Sequence, residues 1–265
     1  MGGPADILVQ PKGTELAAVI RLCRKYDVPY QVIGNGSNLL VGDRGIRGLV
    51  IEMLSKEDEI CVEDDCITVG AGMLLSKTAN RAADHGLTGM EFAAGIPGSI
   101  GGAVVMNAGA YGGEMKDILT AVTVLDQEGN EKILSAEELE LGYRTSCILK
   151  KGYIVTGAKI KLKHGEETAI RARMEELKKQ RVEKQPLEYP SAGSTFKRPE
   201  GYFARKTDHG CGIKRLSGGR SAGVGKTLWI CHQPRKCNSG RCKNPDAECS
   251  GYCRRKVWCQ IRAGS

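Results

Sequence analysis

The sequence has no run of 18 apolar residues, so its 265 positions offer no candidate for a helix that crosses a bilayer. Met1-Gly-Gly-Pro4 lacks the basic and then apolar stretch of a secretory leader, and the chain reads as soluble and cytoplasmic. No two of its 11 cysteines form a CxxC pair, which removes the usual zinc and dithiol spacing. Acidic residues are scarce at one end only. Residues 205–265 hold 14 Lys and Arg against 3 Asp and Glu, a net of +11, whereas residues 1–204 hold 25 against 28, a net of −3. The overall +8 hides this division. Cysteine divides in the same way: Cys23, Cys61, Cys66 and Cys147 are scattered, and the other seven crowd between Cys211 and Cys259. A slightly acidic, cysteine-poor body is joined to a basic, cysteine-rich tail, an asymmetry that needs a cause.

What the body does have is glycine. Gly95-Ile-Pro-Gly-Ser-Ile-Gly-Gly-Ala-Val-Val-Met-Asn-Ala-Gly-Ala-Tyr-Gly-Gly113 is made mostly of small residues, so its backbone can approach a flat or phosphorylated ligand without side chains intervening. A run of free amide N–H groups in such a turn forms an anion-binding nest. Alone, the run serves equally as a tight loop between core strands. A second glycine loop upstream, Val32-Ile-Gly-Asn-Gly-Ser-Asn-Leu-Leu-Val41, lies between two strand-like apolar runs, and two such loops point to an extended cofactor held at two places.

The length allows one large domain or two smaller ones with an ample core. Ala5 to Gln10 reads as a strand, Thr14 as the cap of a helix through Lys25, and Pro29 to Ile33 as a second strand, a unit that suggests parallel α/β packing. Further strands are expected at Gly48–Ile51, Cys66–Val69, Ala121–Leu125, Tyr153–Thr156 and Ala158–Lys163. Leu74 to His85 reads as a helix stopped by Gly86, and Gly129-Asn130 as the turn between Leu125 and Ile133. A strongly charged helix from about Glu166 to Glu183 presents a solvated face and gives no reason to expect nucleic acid.

Four segments stand in order: Gly34-Asn-Gly-Ser-Asn-Leu-Leu-Val41; Gly95 to Gly102 with Asn107-Ala-Gly-Ala-Tyr-Gly112; Gly142-Tyr-Arg-Thr-Ser146; and Pro190-Ser-Ala-Gly-Ser-Thr-Phe-Lys-Arg-Pro199. Together they resemble the UDP-N-acetylenolpyruvoylglucosamine reductases, flavoenzymes of peptidoglycan precursor synthesis, from Gly2 to Ala204. The resemblance implies an α+β (α/β) fold with an FAD-binding domain of the vanillyl-alcohol oxidase and p-cresol methylhydroxylase type at residues 1–163. A linker helix and the start of a substrate-binding domain follow at 164–204. It implies FAD, with NADPH as hydride donor, and a small UDP-sugar substrate; neither nucleic acid nor a membrane is expected as a partner. Gly34, Asn35, Gly36, Ser37 and Asn38, with Gly95, Ile96, Pro97, Gly98 and Ser99, match the cofactor-contacting loops. Arg144 matches the cation beside the substrate carboxylate, Ser194 the proton donor, and Tyr143 and Lys197 substrate contacts. No metal is implied. A member of the same flavin-fold superfamily with another substrate is the neighbouring reading, and Tyr143-Arg144 with Ser194 argue against it.

Both ends depart from the family. Relatives carry a few dozen residues before the segment matching Gly2 to Asp6, so the start is expected to be truncated or taken from the wrong codon. After Ala204 the family continues with a string like GKLI, where this chain has Arg205-Lys-Thr-Asp-His209. Lys206 to Cys211 can be written AAA ACT GAT CAT GGA TGC, and one base later the same letters read KLIMDA, as in the family. With suitable synonymous codons the shifted frame continues through GLKGYRVGGAQVSEKH and ends in VEEKFGVKLEPEV, which holds the catalytic Glu that the chain otherwise lacks. Residues 205–265 therefore read as a frameshift product without native structure, and the chain carrying them as inactive. The P-loop-like Gly218 to Thr227 has Arg220 where the motif wants glycine, and no apolar strand precedes it. The tail's cysteines, and its basic residues with Tyr252 and Trp258, are by-products on this reading. The alternative is a degenerate flavin domain fused to a Cys-rich module that binds metal or nucleic acid.

Overall fold

The computed structural model describes residues 3–54 and 60–183, and the backbone alone at Lys184, 191–194, 217–218, 221–224 and 227–232. It divides into two units, one of Ala5–Ser37 with Arg47–Lys179 and the other of Met1–Pro4, Asn38–Ile46 and Gln180–Ser265.

The first unit opens with strand β1 (Ala5–Val9), helix α1 (Glu15–Lys25) and strands β2 (Tyr30–Ile33) and β3 (Ile46–Glu52). The sheet order is β1-β3-β2, and β2 and β3 run parallel from Tyr30 opposite Leu49 to Ile33 opposite Glu52. Leu16, Ile20 and Cys23 recur at helical spacing on α1 and bury against Leu49 and Ile51 of β3. Thr14 does not cap α1 with its side chain. Its backbone is already helical, whereas a capping hydroxyl needs an extended backbone to face the free N–H groups. The Glu15 carboxylate accepts instead from the Lys12 N–H at 2.8 Å.

A five-stranded antiparallel sheet, of order β10-β9-β11-β5-β4, carries the larger core. Its strands are β4 (Ile60–Glu63), β5 (Cys66–Gly70), β9 (Leu119–Leu125), β10 (Glu131–Ser135) and β11 (Ile154–Lys161). The strands expected at Tyr153–Thr156 and Ala158–Lys163 are mostly this single β11, broken by a register shift between Val155 and Gly157. Ala158 and Ile160 are buried while Lys159 and Lys161 are exposed, the alternation of a half-covered strand. Helix α2 (Leu75–Asp84) and helix α3 (Ile100–Val105) share a core with the sheet. Between them lies β6 (Leu87–Thr88), and Gly86, at φ +63°, ends α2 as expected. The short strands β7 (Gly109–Ala110) and β8 (Gly113–Glu114) form a hairpin after α3.

The β9–β10 turn at Gly129-Asn130 forms as expected, but Asp126 holds it. Asp126 is only 4 % exposed; its carboxylate accepts N–H bonds from Asn130 at 2.9 Å and Glu128 at 3.0 Å and pairs with Lys132 at 3.1 Å. The Asn130 N–H first, with the Lys132 ammonium, draws its pKa from the ordinary 3.8 to about 2. Helix α4 (Cys147–Lys151), β12 (Lys163–His164) and the charged helix α5 (Glu167–Lys184) complete the unit's elements. On α5, Ile170 and Leu177 turn inward, and Arg171 bridges Glu167 and Asp84. Among the described residues no helix is long and apolar enough to cross a membrane.

In the second unit the described backbone includes a four-stranded antiparallel sheet. It is built of β13 (Ser191–Ser194), β14 (Ser217–Gly218), β15 (Ser221–Val224) and β16 (Thr227–His232), in the order β13-β16-β15-β14.

Candidate functional site

The two glycine loops meet. A Cβ added to Gly34 falls 2.0 Å from the Ser99 Oγ, so only glycine admits this approach. The Ser37 hydroxyl donates to the Pro97 carbonyl at 2.7 Å. Gly36, at φ +66°, faces open space, and Gly98, at φ +155°, lies 3.5 Å from the Ser37 Oγ by the same construction. The second loop is tied from behind: the Gly98 carbonyl accepts from Leu75 N–H at 3.0 Å, and Ile100 N–H donates to the Met73 carbonyl at 2.8 Å. Ser99 is buried and caps α3, accepting from Gly102 N–H. Ile96 is half-buried, and Pro97 and Gly95 are exposed.

On the open side, the backbone N–H groups of Asn35, Gly36, Ser37 and Gly98 have no acceptor among the described residues. Two touching loops, amide donors without a described acceptor and no side chain over Gly36 offer the chemistry that binds an anion such as a pyrophosphate, so the residues present fit FAD. The structure thus unites Gly34, Asn35, Gly36 and Ser37 with Gly95 to Ser99. Asn38 follows Ser37 in the chain and is exposed.

Sequence reading treats Gly95–Gly113 as one loop, but the structure folds its middle into α3. Gly101 allows that helix to lie on β5's continuation, a Cβ there being 3.0 Å from the Ala71 Cβ. Asn107 and Tyr111 then take φ of +41° and +53°, values that L residues seldom hold.

Arg144 sits in a tight turn in which Gly142 and Thr145 exchange backbone hydrogen bonds of 3.1 and 3.3 Å. Its φ is +54°, a strained backbone for a non-glycine residue. It is half-buried, and among the described residues its guanidinium has no hydrogen bond or ion pair. Tyr143 beside it is 54 % exposed. The turn is tied to the end of α3 by two residues that bound the sequence motifs but carry no role in them. Buried Ser146 donates from Oγ to the Val105 carbonyl at 2.8 Å, and the Asn107 Nδ2 donates to the Gly142 carbonyl at 3.2 Å. An asparagine amid glycines was the available signal, because Asn is the residue that best tolerates a left-handed backbone after glycine.

Ser194 ends β13, where only its backbone is described, and Lys197 lies outside the described residues, as do the tail's cysteines except Cys231, whose backbone alone is described in β16. Cys23 and Cys147 are buried, and burial raises both thiols above their ordinary value. Among the described residues no cluster of three His, Cys, Asp or Glu could hold a metal ion.

A family model described as an FAD binding domain matches residues 5–135. The UDP-N-acetylenolpyruvoylglucosamine reductase of Clostridium perfringens strain SM101 is 52 % identical over 84 % of this chain and 73 % of its own length. That of Clostridium tetani is 55 % identical over 83 % of this chain and 71 % of its own. Residues 1–204 are a smaller share of the chain than these alignments cover, so the aligned stretches run on past Ala204. The crystal structure of UDP-N-acetylenolpyruvylglucosamine reductase from Thermus caldophilus superposes with a TM-score of 0.82 at 34 % identity, covering 99 % of this chain and 92 % of that one.

Proposed function

Because the chain belongs to the UDP-N-acetylenolpyruvoylglucosamine reductases, flavin-dependent oxidoreductases of peptidoglycan precursor synthesis, we propose that Arg144 and Ser194 are its catalytic residues and NADPH its reductant. The touching glycine loops, Gly34–Ser37 with Gly95–Ser99, hold the FAD pyrophosphate through backbone N–H groups, and Asn38 extends the first loop. FAD, when bound, carries the reducing equivalents of NADPH to the enolpyruvyl double bond of UDP-N-acetylglucosamine enolpyruvate.

Addition of hydride to one alkene carbon leaves an electron pair on the other, delocalised into the neighbouring carboxylate. Arg144 meets that carboxylate with a fixed positive charge, which is worth most where charge grows in the transition state. Ser194 gives its hydroxyl proton to the electron-rich carbon, and the product is UDP-N-acetylmuramate. A serine hydroxyl is a weak acid and serves here because the carbon it protonates is strongly basic. Tyr143 and Lys197 contact the substrate. The observation that carries this reading is Arg144 itself: a half-buried cation on a strained backbone, unpaired among the described residues.

Residues 205–265 are, on this reading, translated from a shifted frame and supply no acidic catalytic group. The support is the division of charge and cysteine at that point, and against it stand the aligned stretches that run on past Ala204. The purified chain then binds FAD but does not couple NADPH oxidation to the substrate, and turnover at an ordinary enzymatic rate overturns this part. Resequencing across the codons for Glu200 to Gly210 tests the cause: the downstream letters encode KLIMDAG and LEPEV one frame over, or the tail is genuine. Stoichiometric zinc lost on removing 205–265 favours the Cys-rich module instead.

A further inference from the structure

Asn107 is 3 % exposed, and its side-chain amide uses both N–H donors and one acceptor position of its oxygen. Its Nδ2 donates to the Glu114 Oε2 at 2.7 Å and to the Gly142 carbonyl at 3.2 Å, while its Oδ1 accepts from the Lys116 N–H at 2.9 Å. The partners are themselves fixed. Lys116 Nζ pairs with the Glu114 Oε1 at 2.6 Å, and Glu114 N–H donates to the Asp117 carboxylate at 3.0 Å. The side chain therefore belongs to a closed polar network with one outlet, the carbonyl that begins the Arg144 turn.

We propose that Asn107 is a positioning residue for Arg144. Its amide, anchored on Glu114 and Lys116, holds the Gly142 carbonyl and so keeps the Gly142–Thr145 turn in the left-handed conformation that aims the guanidinium. Holding is necessary because φ of +54° at an arginine is unfavourable, and of the turn's own two backbone bonds one is ordinary at 3.1 Å and the other long at 3.3 Å. Asn107 also lies just past α3, whose first residues follow the second glycine loop, so one short helix joins the cofactor loop to the arginine turn. The inference rests on the catalytic reading of Arg144 only for its consequence; the hold on the turn stands by itself.

The test uses the full chain and needs no turnover. Asn107→Asp retains the acceptor for Lys116 but sets two carboxylates together, so it is paired with Glu114→Gln, whose amide donates to Asp at 107. Only the Gly142 carbonyl then lacks its donor. One hydrogen bond of this kind corresponds to roughly a three- to ten-fold change in opening. The double variant is expected to exchange the Thr145 amide hydrogen, and to react with phenylglyoxal at Arg144, faster by about that factor, while β9 and β11 amides and FAD affinity stay unchanged. Asn107→Gly, whose left-handed backbone glycine adopts freely, serves as the second variant with the same expectation. Wild-type rates at Thr145 and Arg144, or equal acceleration throughout β9 and β11, overturn the proposal. Loss of FAD binding in the wild-type chain would instead count against the cofactor assignment, so the two failures are distinct.

Discussion

At the scale of single residues, the backbone of Arg144 makes a claim about cost. A positive φ penalises any residue with a Cβ, so Arg144→Gly is expected to be more stable than Arg144→Ala by about 1 kcal/mol, although glycine normally destabilises. Thermal or urea unfolding of the two variants checks this, and equal stability would contradict the strained turn. Asp126 makes a claim about pH. Its folded pKa lies below its unfolded value of 3.8, so the unfolded chain binds the proton first, and the contribution is complete above that value. It fades as pH falls toward about 2. Asn at position 126 removes the titrating group: Asp126→Asn should unfold more readily at neutral pH, and its stability should converge on wild type as pH falls through this window. Parallel profiles across the window would show that the carboxylate is not what holds the β9–β10 turn.

At the scale of elements, the two glycine loops separate crowding from strain. Gly34→Ala puts a methyl group into the Ser99 side chain and is expected to cost about 1–3 kcal/mol and to displace FAD. Gly36→Ala meets nothing within 4 Å, so it carries only the left-handed penalty of about 1 kcal/mol. Calorimetry with flavin absorbance distinguishes them, and the reverse order would mean that the loops do not touch. Much of this element level is legible in the sequence. The alternation of Ala158 to Lys161, Gly86 after a helical stretch and Gly129-Asn130 between two apolar runs each have a local physical cause, and each forms where that cause places it. Helix α3 is hidden because Gly101 and Gly102 are poor helix formers, and what keeps them helical is tertiary: Gly101 N–H donates to the Ala71 carbonyl at 2.7 Å. Thr14 fails as a cap for a local reason: the turn closed by the Glu15 N–H on the Lys12 carbonyl at 3.0 Å already gives it a helical backbone. The site is legible as two loops and an arginine; the ties through Asn107 and Ser146 are not, because Gly142 and Val105 are distant in sequence from their partners.

At the scale of the whole molecule, the body and the tail differ in charge, in cysteine content and in what the family motifs explain. Deleting residues 205–265 is expected to leave FAD affinity unchanged within about two-fold, because the cofactor loops lie within 34–38 and 95–99; a large loss would give the tail a role in the flavin domain. The central claim, that touching glycine loops make this chain a flavoprotein, is tested most directly by titrating the purified full chain and its Gly34→Ala variant with FAD and following flavin fluorescence. One FAD is expected per wild-type chain, and none on the variant at the same concentrations. A wild-type chain that takes up no FAD, or a variant that binds it equally well, would contradict it.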